Sequence, residues 1–118
     1  MYIAYMMKIK KLEEKRNALL KELCQLGPMI KGSVGISRWH CKNKKCRCHT
    51  KGELHKAVIL TWKEKQKSVS RHVPKALHDE VYQWVSSMGK ARQILKEIGN
   101  IQREIFYLKR EEAKEKKE

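Results

Sequence analysis

Cys41-x4-Cys46-x-Cys48-x6-His55 is the densest chemistry in the chain. Thiolates and a neutral imidazole are the donors that a tetrahedral zinc ion accepts, and three Cys with one His form a closed structural set. The three thiols fall in a lysine-rich stretch, where positive charge favours the thiolate form that binds metal. The spacing therefore predicts a zinc site at Cys41, Cys46, Cys48 and His55. His55 is preferred as the fourth ligand because it opens a strand able to fold back over the loop. His40 and His49 adjoin Cys41 and Cys48, where a short tether restricts placement, and both stay open as alternatives. Cys24 lies one step from Leu23 on a helical stretch and reads as a small hydrophobe. Cys-x-Cys is not the Cys-x-x-Cys of thioredoxin-like redox sites, and no Cys-His-Asn arrangement can be argued from the spacing.

The elements that must hold this cluster come from periodicity. Ile9, Leu12, Leu19, Leu23 and Leu26, with Arg16 filling the gap, step at helical spacing, and Gly27-Pro28 ends the run. This gives a first helix within residues 1–30. A second begins after Pro74, with Asp79 and Glu80 near its positive end, and runs to about residue 112. Its stripe reads Leu77, Val81, Trp84, Met88, Ala91, Leu95, Ile98, Ile105 and Leu108. Between residues 31 and 73 the period falls to two: 33–40 alternate weakly, 57–62 are β-branched and apolar, and 68–73 alternate again. The predicted fold class is α+β: a long antiparallel helical hairpin or coiled coil with an inserted zinc-ribbon-like module of three strands, all in one structural unit.

At 118 residues and 14.0 kDa there is room for one ordinary domain. Aromatic residues are only 7%, which argues against a large layered enzyme core. Lysine and arginine number 28 against 13 acidic residues, a formal net charge of +15 that calls for a polyanionic partner. The charge is concentrated: residues 31–75 hold thirteen basic and two acidic side chains, whereas both flanks are nearly balanced. Three thiolates and one dication would remove a single unit, leaving the centre strongly basic. Arg38, Lys42, Lys44, Lys45, Arg47, Lys51, Lys56, Lys63, Lys65, Lys67 and Arg71 are the candidate phosphate contacts. Trp39, between Arg38 and His40, is the candidate stacking residue, and Trp62, ending the most apolar strand, reads as core.

Gly32-Ser33, Arg38 ahead of Cys41, the Cys41–Cys48 cluster with Lys44-Lys45 and Arg47 between its ligands, Gly52 to His55, the strand with Trp62, and Val73-Pro74-Lys75 before a long helix form one composite pattern. Over roughly residues 31–98 it resembles a family of small uncharacterised bacterial and archaeal proteins often encoded beside transposases. That family usually carries Gly after the first Cys and His-Gly-Pro-Tyr at the fourth ligand; Lys42 and His55-Lys56-Ala57-Val58 stand there in this chain. The resemblance implies a mobile-element setting.

Two functional classes follow. The first is a zinc-stabilised basic nucleic-acid-binding protein, accessory to or regulating a mobile genetic element. The second is a coiled-coil adaptor whose basic ribbon docks on a protein or ribonucleoprotein. An enzyme is not expected, because the carboxylates lie mostly in the flanks and a four-ligand zinc site leaves no open position. Helix one spans roughly 27 Å and helix two roughly 57 Å. An overhang carrying Ile98, Ile101, Ile105, Phe106 and Leu108 is therefore expected to seek a second copy through the C-terminal helix, or a partner helix, unless Tyr2, Ile3 and Tyr5 extend helix one over it. No run of apolar residues suits a membrane span, and the Met1–Met7 run is too short for a signal-peptide core, so a cytoplasmic protein is expected.

Overall fold

The apolar start of the chain is the first turn of a helix. In the computed structural model, which describes residues 2–116, α1 runs Tyr2–Gln25. It is followed by β1 Ser33–Trp39, a single turn α2 Arg47–Thr50, β2 His55–Glu64, β3 Lys67–His72, a 3-10 turn Lys75–Leu77, and α3 His78–Lys116. The fold is α+β, and two compact units divide it. One joins residues 1–27 with 89–118, and the other is the segment 28–88.

In the helical unit Tyr5 Oη donates to Glu115 Oε1 at 3.2 Å and Arg16 Nη1 to Gln102 Oε1 at 2.8 Å. Residue numbers rise along one helix as they fall along the other, so the pair is antiparallel. Ile9, Ile101 and Ile105 are buried together, with Leu12, Leu19 and Leu108 packed on them. The expected uncovered overhang is thus corrected. Ile9, Leu12 and Leu19 of α1 pack on the turns of α3 that hold Ile101 and Ile105, and the start at Tyr2 carries α1 on to Glu115. Phe106, at 57% exposure, is the member left outside. A second correction concerns the stripe itself: Ile94 is buried and Leu95 is 54% exposed. Leu77 lies in the 3-10 turn and not on α3.

In the segment 28–88 the strands form an antiparallel sheet in the order β1-β2-β3. Val34 pairs with Leu60 and Trp62 with Val69, which puts these side chains on one face. Leu60, Val73 and Val81 are the buried centre of a small core, with Ile30, Val58, Trp62 and Trp84 packed around it. Trp62 is therefore a core residue, and its indole N–H donates to Glu64 Oε1 at 3.0 Å. The Ile30 amide donates to the Trp84 carbonyl at 3.3 Å, so the chain enters this unit beside the point where it leaves. Gly32 is fixed by close approach, since a Cβ there would lie 2.9 Å from the Thr61 carbonyl oxygen.

The β2–β3 connection is tighter than the five-residue link the sequence suggested. Only Lys65 and Gln66 lie outside the strands, both left-handed with φ of 48° and 69°. Two positive φ values across a two-residue loop are the signature of a type I′ turn, which favours Asn-Gly. A residue with a Cβ costs about 1–2 kcal/mol in that region. The double substitution Lys65→Asn, Gln66→Gly is expected to stabilise the protein by about 1 kcal/mol, read as a rise of roughly 4–8 °C in the melting midpoint.

Candidate metal centre

Chain reversal after β1 brings the cluster together through local hydrogen bonds. Asn43 organises the loop: its side-chain oxygen accepts from the Lys45 amide at 3.0 Å and its carbonyl from the Cys46 amide at 3.0 Å. Cys46 then opens α2, where its carbonyl accepts from the amides of His49 and Thr50. That single turn, which strand and helix periodicity did not predict, swings Cys48 inward to 1% exposure. Gly52, with φ of +72°, turns the chain towards His55 at the start of β2.

The donor atoms of Cys41, Cys46, Cys48 and His55 all lie within 4.8 Å of one another. Cys41 Sγ is 3.5 Å from Cys48 Sγ, and Cys46 Sγ is 3.4 Å from His55 Nε2. Two sulfurs bound at about 2.3 Å to a tetrahedral ion stand roughly 3.8 Å apart, and a sulfur and a nitrogen slightly less. The observed spacings fit that figure, and the four residues can hold a metal ion. Of the three histidines considered from sequence, His55 is the one that meets all three sulfurs. His49 Nε2–H donates to the Cys41 carbonyl at 2.6 Å, and its ring stacks on His40 with centroids 4.9 Å apart. These two form a separate group with Cys48.

Electrostatics favour thiolate at one end of the cluster. The Cys48 backbone amide, followed by the neighbouring Cys41 and His55 side chains, brings the Cys46 thiol down to about 6. Desolvation pushes Cys41 up, and the adjoining sulfurs add to it. The Cys41 amide also donates to Cys48 Sγ at 3.4 Å. Amide-to-sulfur bonds of this kind orient ligands around a metal.

The basic candidates are all exposed and fall into three places. Lys42, Lys44, Lys45, Arg47 and Lys51 surround the cluster on the loop and α2. Lys63, Lys65, Lys67 and Arg71 lie on or near the β2–β3 hairpin. Arg38 and Lys56 face each other across β1 and β2. Trp39 is 44% exposed and its ring stacks on that of His55 at 5.8 Å, so the candidate contact residue also leans on a metal-ligand candidate. Cys24 is exposed on α1 and is not among the grouped donors. Among the described residues, no helix is long and apolar enough to cross a membrane.

No curated protein and no solved structure matches the chain. A protein-family match does, described as a domain of unknown function (DUF6788). It spans residues 9–83, more than half of the chain, and includes every residue of the cysteine–histidine cluster, and the chain belongs to that family.

Proposed function

We propose that the cluster binds zinc and that the segment 28–88 is a zinc-stabilised nucleic-acid-binding module, serving a mobile genetic element as an accessory or regulatory protein. Three thiolates and one imidazole suit zinc better than magnesium or calcium, which take oxygen donors. When bound, the ion acts as a structural cross-link, joining the end of β1, the loop and the start of β2. Lys42, Lys44, Lys45 and Arg47 then project from a loop of fixed shape. The mobile-element setting is what the sequence resemblance adds.

One observation carries the binding role. The ion pairs formed among the described residues, Arg16–Glu13 and Lys114–Glu111, both lie in the helical unit. None of the thirteen lysines and arginines between residues 31 and 75 is paired with a carboxylate. Unpaired like charges at this density repel one another, and a polyphosphate relieves that repulsion while releasing its own counterions. No catalytic step is assigned. Of the four carboxylates in this unit, Glu64 receives the Trp62 indole, and none is grouped with the four donors.

Salt dependence is the test. Four phosphate contacts on duplex DNA predict about a hundredfold loss of affinity between 50 and 200 mM salt, from a log–log slope near −0.9 per contact. Fluorescence anisotropy with a labelled oligonucleotide is expected to show at least that loss. A flat dependence, or no binding at low salt, removes the reading.

A further inference from the structure

β1 and β2 pair so that Arg38 stands opposite Lys56, and Ile36 opposite Val58, on the same sheet face. Like charges placed directly across two strands destabilise a sheet, and no carboxylate is paired with either cation. Two hollows open on either side of Lys56. One, of about 370 Å³, has Ile36 and Val58 on an apolar wall and His72, His78 and Lys75 around it. The other, of about 450 Å³, is bounded by Arg38, Lys56, Gly52, Glu53 and Leu54, with the Glu53 carboxylate in an ion pair with neither cation. The wall is stably built: the Val73 amide extends the ladder to the Val58 carbonyl at 2.8 Å, and His78 Nε2–H donates to the Val73 carbonyl at 3.0 Å. Ile36 nevertheless stays 51% exposed, an apolar side chain left open beside a cationic rim.

We infer that this double hollow takes a single strand of nucleic acid, with a backbone phosphate on Arg38 and Lys56 and the adjoining unpaired base in the Ile36–Val58 hollow, flanked by His78. The inference rests on the nucleic-acid reading above and gives that reading a strand type and a location. A phosphate between Arg38 and Lys56 turns their repulsion into two charge-assisted contacts. A hollow of this size lies near the lower end of the roughly 300–1,000 Å³ range of ligand sites, suited to a flat base. Base faces are available in a single strand and hidden in a duplex, and apolar or ring surfaces recognise them without regard to sequence. A duplex reader would instead present a convex helix or ribbon to the major groove.

The test uses the full chain and fluorescein-labelled single strands of dT and rU, with a duplex of equal length, at one salt concentration. Tighter binding of one or both single strands than of the duplex is expected, and which strand wins tells DNA from RNA. Arg38→Ala with Lys56→Ala is expected to weaken single-strand binding at least tenfold. It should also reduce the log–log salt slope by about 0.7, the single-strand value for the one phosphate that the two side chains share. Lys63→Ala with Lys67→Ala, equal in charge change but at the far end of the hairpin, should weaken it less. Ile36→Glu, at a position already half exposed, is expected to remove the preference for single strand while circular dichroism stays unchanged. If the hairpin pair matters as much as Arg38 and Lys56, or the duplex binds tighter, the hollow is not the site, though the broader reading survives. Displacement of the strand by polyglutamate of matched charge would assign the surface to an acidic protein instead. Absence of binding to every probe overturns both readings together.

Discussion

Cys48→Ser is expected to strip the metal from the protein and unfold residues 28–88, leaving a weakened helical pair. Cys48 is the most enclosed of the four candidates, at 1% exposure, with its sulfur against Cys41 Sγ and under the Cys41 amide. A serine hydroxyl is shorter and stays protonated, so it supplies neither the reach nor the charge of a thiolate. Structural zinc contributes about 10–16 kcal/mol of apparent binding free energy, and whole domains are stable by only about 5–15 kcal/mol. The sheet has a buried centre of three residues, Leu60, Val73 and Val81, too little to fold a unit of this size without a staple. The helical pair has its own core, yet an unfolded connector replaces a unit whose ends are clamped by the Ile30–Trp84 hydrogen bond. Closing such a long loop costs about 3–4 kcal/mol, so the helical melting midpoint is expected to fall but the transition to persist. Elemental analysis and far-ultraviolet circular dichroism read the two effects, with Cys24→Ser, on exposed α1, as the control that changes neither. A Cys48→Ser protein that keeps its metal and its sheet would mean that the cluster is not the metal centre.

The chemistry of this site was legible because ligand spacing is a one-dimensional signal. Cys41, Cys46 and Cys48 can converge whatever the rest of the chain does, and the apolar run 57–62 marks the strand that brings His55 to them. Three features were not legible, each because a partner decided it. Ile94 and Leu95 are adjacent and equally apolar, and either continues a helical stripe from Ala91 to Ile98. The structure buries Ile94 and leaves Leu95 outside. The Lys65-Gln66 turn carries no glycine or asparagine, so its left-handed geometry is imposed by the register of β2 on β3. The juxtaposition of Arg38 with Lys56 follows from the register of β1 on β2, which no local pattern fixes.

Those three cases separate two kinds of residue. Where a side chain acts through its own reactivity, type and spacing suffice. Where it acts through what faces it, the fold has to be known first. Arg38 and Lys56 belong to the second kind: by sequence they are two cations among thirteen, and by register they are a facing pair with neither in an ion pair. Such a pair makes the sheet less stable than it could be, a cost that the proposed phosphate contact would offset.

The helical unit gives the second large effect. Ile105 is 1% exposed and packs with Ile9 and Ile101 at the centre of the pair. Its truncation removes three methyl or methylene groups from a site that two rigid helices cannot collapse around, so Ile105→Ala is expected to cost about 2–5 kcal/mol. Phe106 is the neighbouring residue and larger, yet the helical step of about 100° carries it out of the interface, to 57% exposure. Phe106→Ala should therefore stay within about 0.5 kcal/mol of the parent protein. Denaturant unfolding followed by circular dichroism measures both, and because residues 28–88 have a separate core, metal content at low denaturant should be the same in both variants. Equal costs at the two positions would show that α1 does not cover α3 here. The C-terminal stripe would then be left for a second copy of the chain or a partner helix to cover.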